Sequence, residues 1–208
     1  MPGGRGEGVA QLQRRLRQGH YWVGAVDGRY GGLTTQAVMA LEKASGLPVD
    51  GVADAAVVQA LDAPGPIVPR AAEAGLAADG DHVWVDKARQ LLVVVRDGAV
   101  LWVFNTSTGT DEEYWHPTSG WQVADTPTGR FDVTWQVDGT SDGELGPLYR
   151  PKFFHSAGIA VHGSPSVPAV PASHGCVRVS NAAMDAIWAE GLMPLGSPVV
   201  VTGETPSN

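Results

Sequence analysis

Apolar residues recur at helical spacing through the first 61 residues, and glycines interrupt the pattern. The pattern predicts one helix from Gly8 to just before Gly19, a second that ends before Gly46, and a third short helix at 55–61. The apolar positions that define the first two helices are Val9, Leu12, Leu16, Ala37, Val38 and Leu41. Three short helices of this kind predict a small bundle.

Beyond residue 81 the pattern changes to runs rich in β-branched and aromatic residues, separated by turn-forming segments. Asp97-Gly98 is a hairpin signal. One helix interrupts the strands, with Asn181 as its predicted cap and Gly191 as its end. The predicted strands are 82–86, 91–96, 99–105, 130–137, 158–162, 176–179 and 198–202. The predicted class is therefore α+β and multidomain: a small three-helix N-terminal bundle followed by a mainly β domain with one prominent helix.

Composition divides the chain into four segments. Residues 1–62 form the helical domain, and 63–80, rich in proline and alanine, form a semi-rigid linker. Residues 81–203 form the β domain, and 204–208 form a short C-terminal tail. With 27 glycines and 15 prolines among 208 residues, the chain has many turns, so a mostly helical fold is not expected.

The formal net charge of −8 excludes the basic surface that binding to nucleic acid or an anionic membrane requires. No stretch approaches the roughly 18 apolar residues of a membrane-spanning helix. Residues 1–8 are too short and polar for a signal peptide, so we expect no export signal within this sequence.

Candidate chemistry centres on Cys176, the single cysteine, in the run Ser-His-Gly-Cys-Val-Arg at 173–178. A lone thiol near histidines indicates a nucleophile, although a lone cysteine can also be an inert, buried small side chain. Gly175 permits close backbone approach, and the amides of Gly175 and Cys176 form a candidate oxyanion site. Arg178 can hold a carboxylate. His162, at the end of an apolar segment, and His174 are the candidate bases.

The segments His162-Gly163 and 173–178 resemble the signature of the YkuD-type L,D-transpeptidases of bacterial cell walls. The resemblance extends to Ser107-Thr108-Gly109 and to Thr126-Pro127-Thr128-Gly129-Arg130-Phe131, and so covers roughly residues 82 to 202. It implies a YkuD-like catalytic domain in which Cys176 is the nucleophile and His162 the base, with the carbonyl of Gly163 orienting the imidazole.

The resemblance leaves two roles open for His174 and for Arg178. His174 is either a neighbour that shapes the oxyanion site or a competing base. Arg178 either binds a substrate carboxylate or pairs with Asp185, and the family pattern favours the substrate. Gly175 is assigned to the catalytic group, and Gly163 and Ser173 to substrate binding.

The N-terminal segment resembles a peptidoglycan-binding type 1 domain. Leu41 departs from the family pattern, which usually has an aromatic residue at this position. The matching positions are Val9, Leu12, Gln13, Leu16, Gly19, Asp27, Gly28, Tyr30, Gly31, Thr34, Ala37, Val38, Gly46, Leu47, Asp50 and Gly51. Each residue alone is explained by turns and core packing, whereas the ordered set favours the family.

Together these resemblances imply a peptidoglycan L,D-transpeptidase that forms cross-links by cysteine acyl transfer from a tetrapeptide stem with release of D-alanine. Its partners are then peptidoglycan stem peptides and the glycan polymer, without nucleic acid, cofactor or metal. The expected location is the cell wall, periplasmic or extracellular. With water as the acceptor, the same site would be an L,D-carboxypeptidase.

Two alternatives belong to other classes. In a zinc-dependent wall peptidase, four residues of suitable type would hold the metal: His155, His162, His174 and Cys176. These residues lack a strong local metal motif. In a non-catalytic peptidoglycan-binding protein, the β domain would be an interaction surface.

A long insert at 110–125 departs from the family pattern. Its charged and aromatic residues are Asp111, Glu112, Glu113, Tyr114, Trp115, His116 and Trp121. The aromatic side chains line a substrate groove, form a lid, or seal the loop against the domain surface.

Overall fold

The computed structural model describes residues 2–62 and 80–206, which form two compact units. The first unit comprises Met1–Asp81 and Leu91–Asn105, and the second comprises His82–Gln90 and Thr106–Asn208. The predicted linker lies outside the described residues except for Gly80.

Three helices precede the strands: α1 (Glu7–Gln18), α2 (Gly32–Ser45) and α3 (Ala55–Ala60). The strands are β1 (His82–Asp86), β2 (Leu91–Arg96), β3 (Ala99–Asn105), β4 (Glu113–His116), β5 (Gly120–Val123), β6 (Gly129–Asp132), β7 (Trp135–Gln136), β8 (Thr140–Gly143), β9 (Gly146–His155), β10 (Ile159–Ser164), β11 (Val177–Ser180) and β12 (Pro198–Thr202). Helix α4 (Asn181–Ala189) lies between β11 and β12. The predicted α+β class, with three helices followed by a mainly β domain containing one helix, is confirmed.

The buried face of α1 is displaced by one position from the predicted face. Ala10, Gln13 and Leu16 are buried, whereas Val9 and Leu12 remain partly exposed. Gln13 can be buried because its amide is satisfied: its nitrogen donates to Asp27 Oδ1 at 2.9 Å and its oxygen accepts from the amide of Gly28 at 2.9 Å. The polar side chain thus holds the Asp27-Gly28 turn against the bundle.

The Asp50-Gly51 turn is also held against the bundle by hydrogen bonds with buried polar side chains. Glu42 accepts a hydrogen bond from the amide of Gly51 at 2.9 Å, and the Tyr30 hydroxyl donates to the Gly51 carbonyl at 2.9 Å. Burial raises the pKa of Glu42 to about 7. The polar residues of the predicted turns therefore contribute to the core of this unit.

The antiparallel hairpin β2–β3 packs within the same unit as the helices. Trp22 and Phe104 place their ring centroids 5.5 Å apart, and Asn105 Nδ2 donates to Gln36 Oε1 at 2.7 Å. The sequence pattern alone does not predict this packing. Strands 91–96 and 99–105 lie in the chain between segments of the second unit, so they are expected to belong to it.

The second unit contains the remaining strands. Strand β12 pairs in parallel with β1 and antiparallel with β6. In a separate sheet β11 pairs in parallel with β10, which pairs antiparallel with β9, and β9 also pairs with β7 and β8. The predicted continuous strand at 130–137 is wrong, because 133–134 separate β6 from β7. The sequence pattern did not predict β9. This strand contains Pro147 and Pro151, residues that argue against a strand interior.

Helix α4 covers one face of the β10–β11 pair. Its buried residues Ala183, Met184 and Ile187 pack under this face. The predicted cap at Asn181 is wrong: Ser180 is the N-cap, and its hydroxyl accepts from the amide of Ala183 at 3.2 Å. Within the described ranges, no helix has both the length and the apolar character needed to cross a membrane.

Candidate active site

One face of the β10–β11 pair carries the candidate catalytic side chains. His162 on β10 is in register with Arg178 on β11. Cys176 immediately precedes β11 and lies two residues before Arg178, so strand alternation places both side chains on the same face as His162. The other face consists of the fully buried Val161 and Val177. Packing of the apolar face against α4 therefore holds these three polar side chains on the opposite face.

A backbone contact fixes the orientation of the His162 imidazole. His162 Nδ1 lies 2.9 Å from the carbonyl oxygen of Gly163. A carbonyl oxygen can only accept, so Nδ1 carries the hydrogen and Nε2 of the neutral ring is left with its lone pair. Burial lowers the pKa of His162 to about 4, the Gly163 hydrogen bond opposes this shift, and the positive charge of Arg178 adds to it. The imidazole is therefore a neutral base at neutral pH.

Cys176 is a free cysteine of intermediate exposure. Desolvation raises the pKa of the thiol, opposed by a backbone hydrogen bond from Ala160 and by the charge of Arg178. The thiol contacts the carbonyl oxygen of Gly158, with Sγ 3.8 Å away. Both shifts favour a neutral thiol and a neutral imidazole at neutral pH.

The loop that precedes Cys176 is held by its own hydrogen bonds. Ser173 is buried, and its hydroxyl donates to the Cys176 carbonyl at 2.5 Å and accepts from the Gly175 amide at 3.0 Å. The Gly175 amide is thus engaged within the loop, and its oxyanion role stays a prediction that requires this bond to open. The role of Ser173 in binding substrate likewise stays a prediction.

The upstream motif segments converge on this loop at Thr126. The buried Thr126 hydroxyl accepts from the amide of Gly109 at 2.9 Å and donates to the carbonyl of Gly175 at 2.7 Å. Gly175 has φ 129°, and a Cβ there would lie 2.6 Å from the carbonyl oxygen of Asp125. Only glycine fits this backbone conformation and close approach. Three segments distant in sequence therefore fix the backbone beside the nucleophile.

Thr126→Val is expected to destabilise the protein by about 1–3 kcal/mol, because it leaves the buried amide of Gly109 without its acceptor. Thr126→Ser keeps the hydroxyl and is the matched control. Urea denaturation of both variants and the parent measures the effect. Equal stability of the valine and serine variants would show that these two hydrogen bonds contribute nothing.

His174 lies exposed at the mouth of the site, next to the insert. Its ring centroid is 4.5 Å from that of Tyr114. Partial burial lowers the pKa of His174, and electrostatic interactions with Arg178 and His116 lower it further. The contact with Tyr114 places His174 between the loop at 173–176 and the insert. Its role, either as a base or as a neighbour that shapes the oxyanion site, stays a prediction.

The insert folds into the antiparallel hairpin β4–β5. Tyr114 and His116, on one face, line the cavity that contains Cys176. Trp115 and Trp121, on the other face, are 62% and 67% exposed, with ring centroids 5.8 Å apart. The hypothesis that the aromatic residues seal the loop against the domain is therefore wrong for both tryptophans, and the groove hypothesis agrees with Tyr114.

Lys87, which sequence reasoning missed, fixes the base of the hairpin. Its ammonium nitrogen is buried and lies 2.9 Å from Asp125 Oδ1 and 3.6 Å from Asp111 Oδ1. Desolvating a lysine is costly without such partners. Nothing in the local sequence distinguishes Lys87 from a surface lysine, because the two aspartates lie 24 and 38 residues further along the chain.

Asp185 does not pair with Arg178. Instead Asp185 Oδ1 accepts from Arg150 Nη1 at 2.8 Å and from the Tyr149 hydroxyl at 2.8 Å. No carboxylate of the described residues forms an ion pair with Arg178, whose side chain lines the cavity. The hypothesis that Arg178 pairs with Asp185 is therefore wrong.

A cavity of about 650 Å³ brings these groups together, a volume typical of small-molecule sites. Its lining includes His162, Gly163, Ser173, His174, Cys176 and Arg178, together with residues of the β4–β5 and β8–β9 hairpins. Across 2–62 and 80–206, no three His, Cys, Asp or Glu side chains are grouped to hold a metal ion. The four residues proposed for zinc thus do not form a metal site in this arrangement.

Comparison with known families agrees with this geometry. Residues 80–201 match the YkuD family, the L,D-transpeptidase catalytic domain, and residues 5–61 match the family described as a putative peptidoglycan binding domain. Since the first match spans more than half of the chain, the protein belongs to the YkuD L,D-transpeptidase family, a family of cysteine-dependent transpeptidases that function in peptidoglycan cross-linking. Its substrate polymer implies a location outside the cytoplasm.

Two solved structures resemble the whole chain. An L,D-transpeptidase from Xylanimonas cellulosilytica is 42% identical with a TM-score of 0.88, and the alignment covers 97% of this chain and 96% of that one. An L,D-transpeptidase from Stackebrandtia nassauensis is 22% identical with a TM-score of 0.54, over 100% and 97% of the two chains, and supports the fold. A comparison with curated proteins finds no match.

Proposed function

We propose that this protein cross-links peptidoglycan by transferring the acyl group of a tetrapeptide stem through Cys176, with release of D-alanine. The observation that carries the proposal is the shared strand face on which Cys176, His162 and Arg178 line one cavity. A cysteine nucleophile divides the exchange of one amide for another into formation and aminolysis of a thioester.

In the first step, Sγ of Cys176 attacks the carbonyl carbon of the third stem residue while its proton moves to Nε2 of His162. The bond between this carbonyl and the D-alanine nitrogen then breaks, and His162 returns the proton to the leaving amine. A thioester and free D-alanine result. The low pKa of His162 makes the imidazolium a strong acid for this second proton transfer.

In the second step, the amine of another stem attacks the thioester, and His162 accepts a proton from that amine. The carbon–sulfur bond breaks, and the proton returns to the cysteine sulfur. The products are a new amide cross-link and the free enzyme. Nε2 of His162 therefore accepts one proton and returns it in each half of the reaction.

Arg178 supplies the charge expected for a peptidic acyl donor. Its guanidinium lines the cavity and has no acidic partner among the described residues. A terminal D-alanine carries a carboxylate, which a guanidinium binds through two parallel hydrogen bonds. We therefore assign Arg178 to the donor carboxylate.

The N-terminal domain, which we place at residues 1–62, would hold the enzyme on the glycan polymer. Attachment through a linker raises the local concentration of stem peptides around the catalytic domain without any new contact in the active site. This arrangement places the enzyme in the cell wall. The same site would act as an L,D-carboxypeptidase where water resolves the thioester.

Intact-mass measurement with a disaccharide tetrapeptide tests the proposal, combined with an assay of released D-alanine. Cys176 is the only cysteine, so protein alkylated beforehand is blocked at a single defined site and serves as the control. An acyl adduct accompanied by D-alanine in the untreated protein alone is the expected result. Release of D-alanine from alkylated protein would refute the mechanism, and product masses separate cross-linking from hydrolysis.

A further inference from the structure

The β8–β9 hairpin meets the β4–β5 hairpin through one carboxylate. Glu144, in the turn between β8 and β9, accepts a hydrogen bond from the Thr118 hydroxyl at 2.5 Å through Oε2. The same oxygen lies 3.4 Å from Nε2 of His116. Thr118 and Glu144, 26 positions apart in the sequence, thus join the two hairpins at a single carboxylate oxygen.

The contact does not require a charged histidine. Nδ1 of His116 faces the backbone amides of Thr118 and Ser119 at 3.4 and 3.3 Å. Both amides are donors, so Nδ1 accepts, and the hydrogen of the neutral ring is on Nε2, which faces Glu144. Glu144 Oε2 therefore accepts a hydrogen bond from Thr118 and lies close to Nε2 of His116 without needing a charge on the ring.

Both hairpins also line the catalytic cavity: Tyr114 and His116 come from β4, and Asp142, Glu144 and Leu145 come from β8 and the turn that follows it. At its base, the β4–β5 hairpin is held by the Lys87 ion pairs and by the ring contact between Tyr114 and His174. The β4–β5 hairpin is therefore held next to the loop at 173–176, and its own tip contacts the β8–β9 hairpin.

We propose that Glu144 is a specificity-determining residue that closes a bridge across the catalytic cavity and limits the size of what reaches Cys176. The bridge is the contact of Glu144 Oε2 with Thr118 Oγ1 and His116 Nε2. It admits a thin, unbranched peptide and slows bulky donors and acceptors, which pass only when the contact opens. The substrate class rests on the proposed acyl-transfer function, whereas the size limit at Cys176 does not.

The Thr118–Glu144 hydrogen bond sets the expected effect. A hydrogen bond contributes about 0.5–1.5 kcal/mol net, so its loss raises the open fraction roughly two- to tenfold. Glu144→Ala removes this bond together with the His116 contact, and Thr118→Val removes the bond alone. Glu144→Gln keeps an acceptor oxygen for the Thr118 hydroxyl and should keep the bridge closed. Glu113→Ala changes an exposed carboxylate on the same hairpin whose side chain forms no hydrogen bond or ion pair among the described residues, and is the matched control.

The experiment compares rate constants for alkylation of Cys176 by N-ethylmaleimide and by a maleimide carrying a polyethylene glycol chain. The reactive group is the same in both, so the ratio of bulky to small rate constants reports access alone. We expect this ratio to rise about tenfold in Glu144→Ala and severalfold in Thr118→Val. It should stay within about twofold of the parent in Glu144→Gln and Glu113→Ala.

An unchanged ratio in Glu144→Ala and Thr118→Val, or equal rate constants for both reagents in the parent, would overturn the proposal. A glutamine variant that behaves like the alanine variant would contradict a bridge based on the Thr118 hydrogen bond. Thermal melting of each variant checks folding, and Thr118→Val, on an exposed turn, retains the test if Glu144→Ala is unstable. Alkylation requires no peptidoglycan substrate, so these outcomes are independent of whether the proposed transpeptidation occurs.

Discussion

Replacing Cys176 with alanine is expected to reduce D-alanine release from a tetrapeptide stem by roughly 10⁴-fold or more, the scale observed when a covalent nucleophile is removed. Alanine leaves the cavity, His162 and Arg178 in place, so substrate binding should persist. Removing the thiol also relieves the burial of an ionisable group, and we expect folding stability to stay close to that of the parent. The measurement is single-turnover D-alanine release, together with binding of the uncleaved stem.

Cys176→Ser is the stringent companion variant. It retains a hydroxyl at the same position, but serine holds its proton far more tightly than cysteine, and His162, with its lowered pKa, is a weak base. We expect the serine variant to lose at least about 10³-fold in rate. An alanine variant that keeps about a tenth of the parent rate would exclude Cys176 as the nucleophile.

The second large effect concerns His162. His162→Gln is expected to lower kcat/KM by about 10²–10⁴-fold, the usual contribution of a general base. The pH profile gives an independent test. Because the pKa of His162 is lowered to about 4, the imidazole is neutral and competent above that pH and becomes protonated below it. The parent should therefore show a level kcat/KM through pH 6–7 and an acid limb near pH 4.

His174→Gln distinguishes the two histidines. If His162 is the base, the acid limb of this variant remains near pH 4. A parent acid limb that disappears or moves in His174→Gln would contradict the assignment. Measurement of kcat/KM from pH 3.5 to 9, with folding monitored at each pH, provides the comparison.

Hydrophobic periodicity predicted most helices and strands because their burial depends on neighbours close in sequence. The long strand β9 was missed because Pro147 and Pro151 oppose a strand interior, and the strand is stabilised by β7, β8 and β10 instead. The hairpin β4–β5 was missed for a related reason. Its outward residues include exposed tryptophans, so its alternation does not separate apolar from polar faces.

The candidate site residues were chosen from the motif around Cys176, whereas the motif did not indicate several of their contacts. The choice between a substrate and Asp185 for Arg178 depended on Arg150, which lies in the strand that the sequence did not predict. The Gly175 amide was expected to be available, but the Ser173 hydroxyl occupies it through the turn geometry of the loop. Contacts that depend on three-dimensional neighbours, such as Lys87 with Asp125, have no local sequence pattern.

The exposed pair Trp115 and Trp121 provides an optical signal for the insert. Three of the seven tryptophans are large exposed side chains, and two of these lie back to back with the cavity-facing residues of the same hairpin. Indole emission responds to solvent and to quenchers, so the fluorescence of this pair would report displacement of the hairpin as it occurs. These two exposed tryptophans therefore allow movement near the active site to be followed without a label.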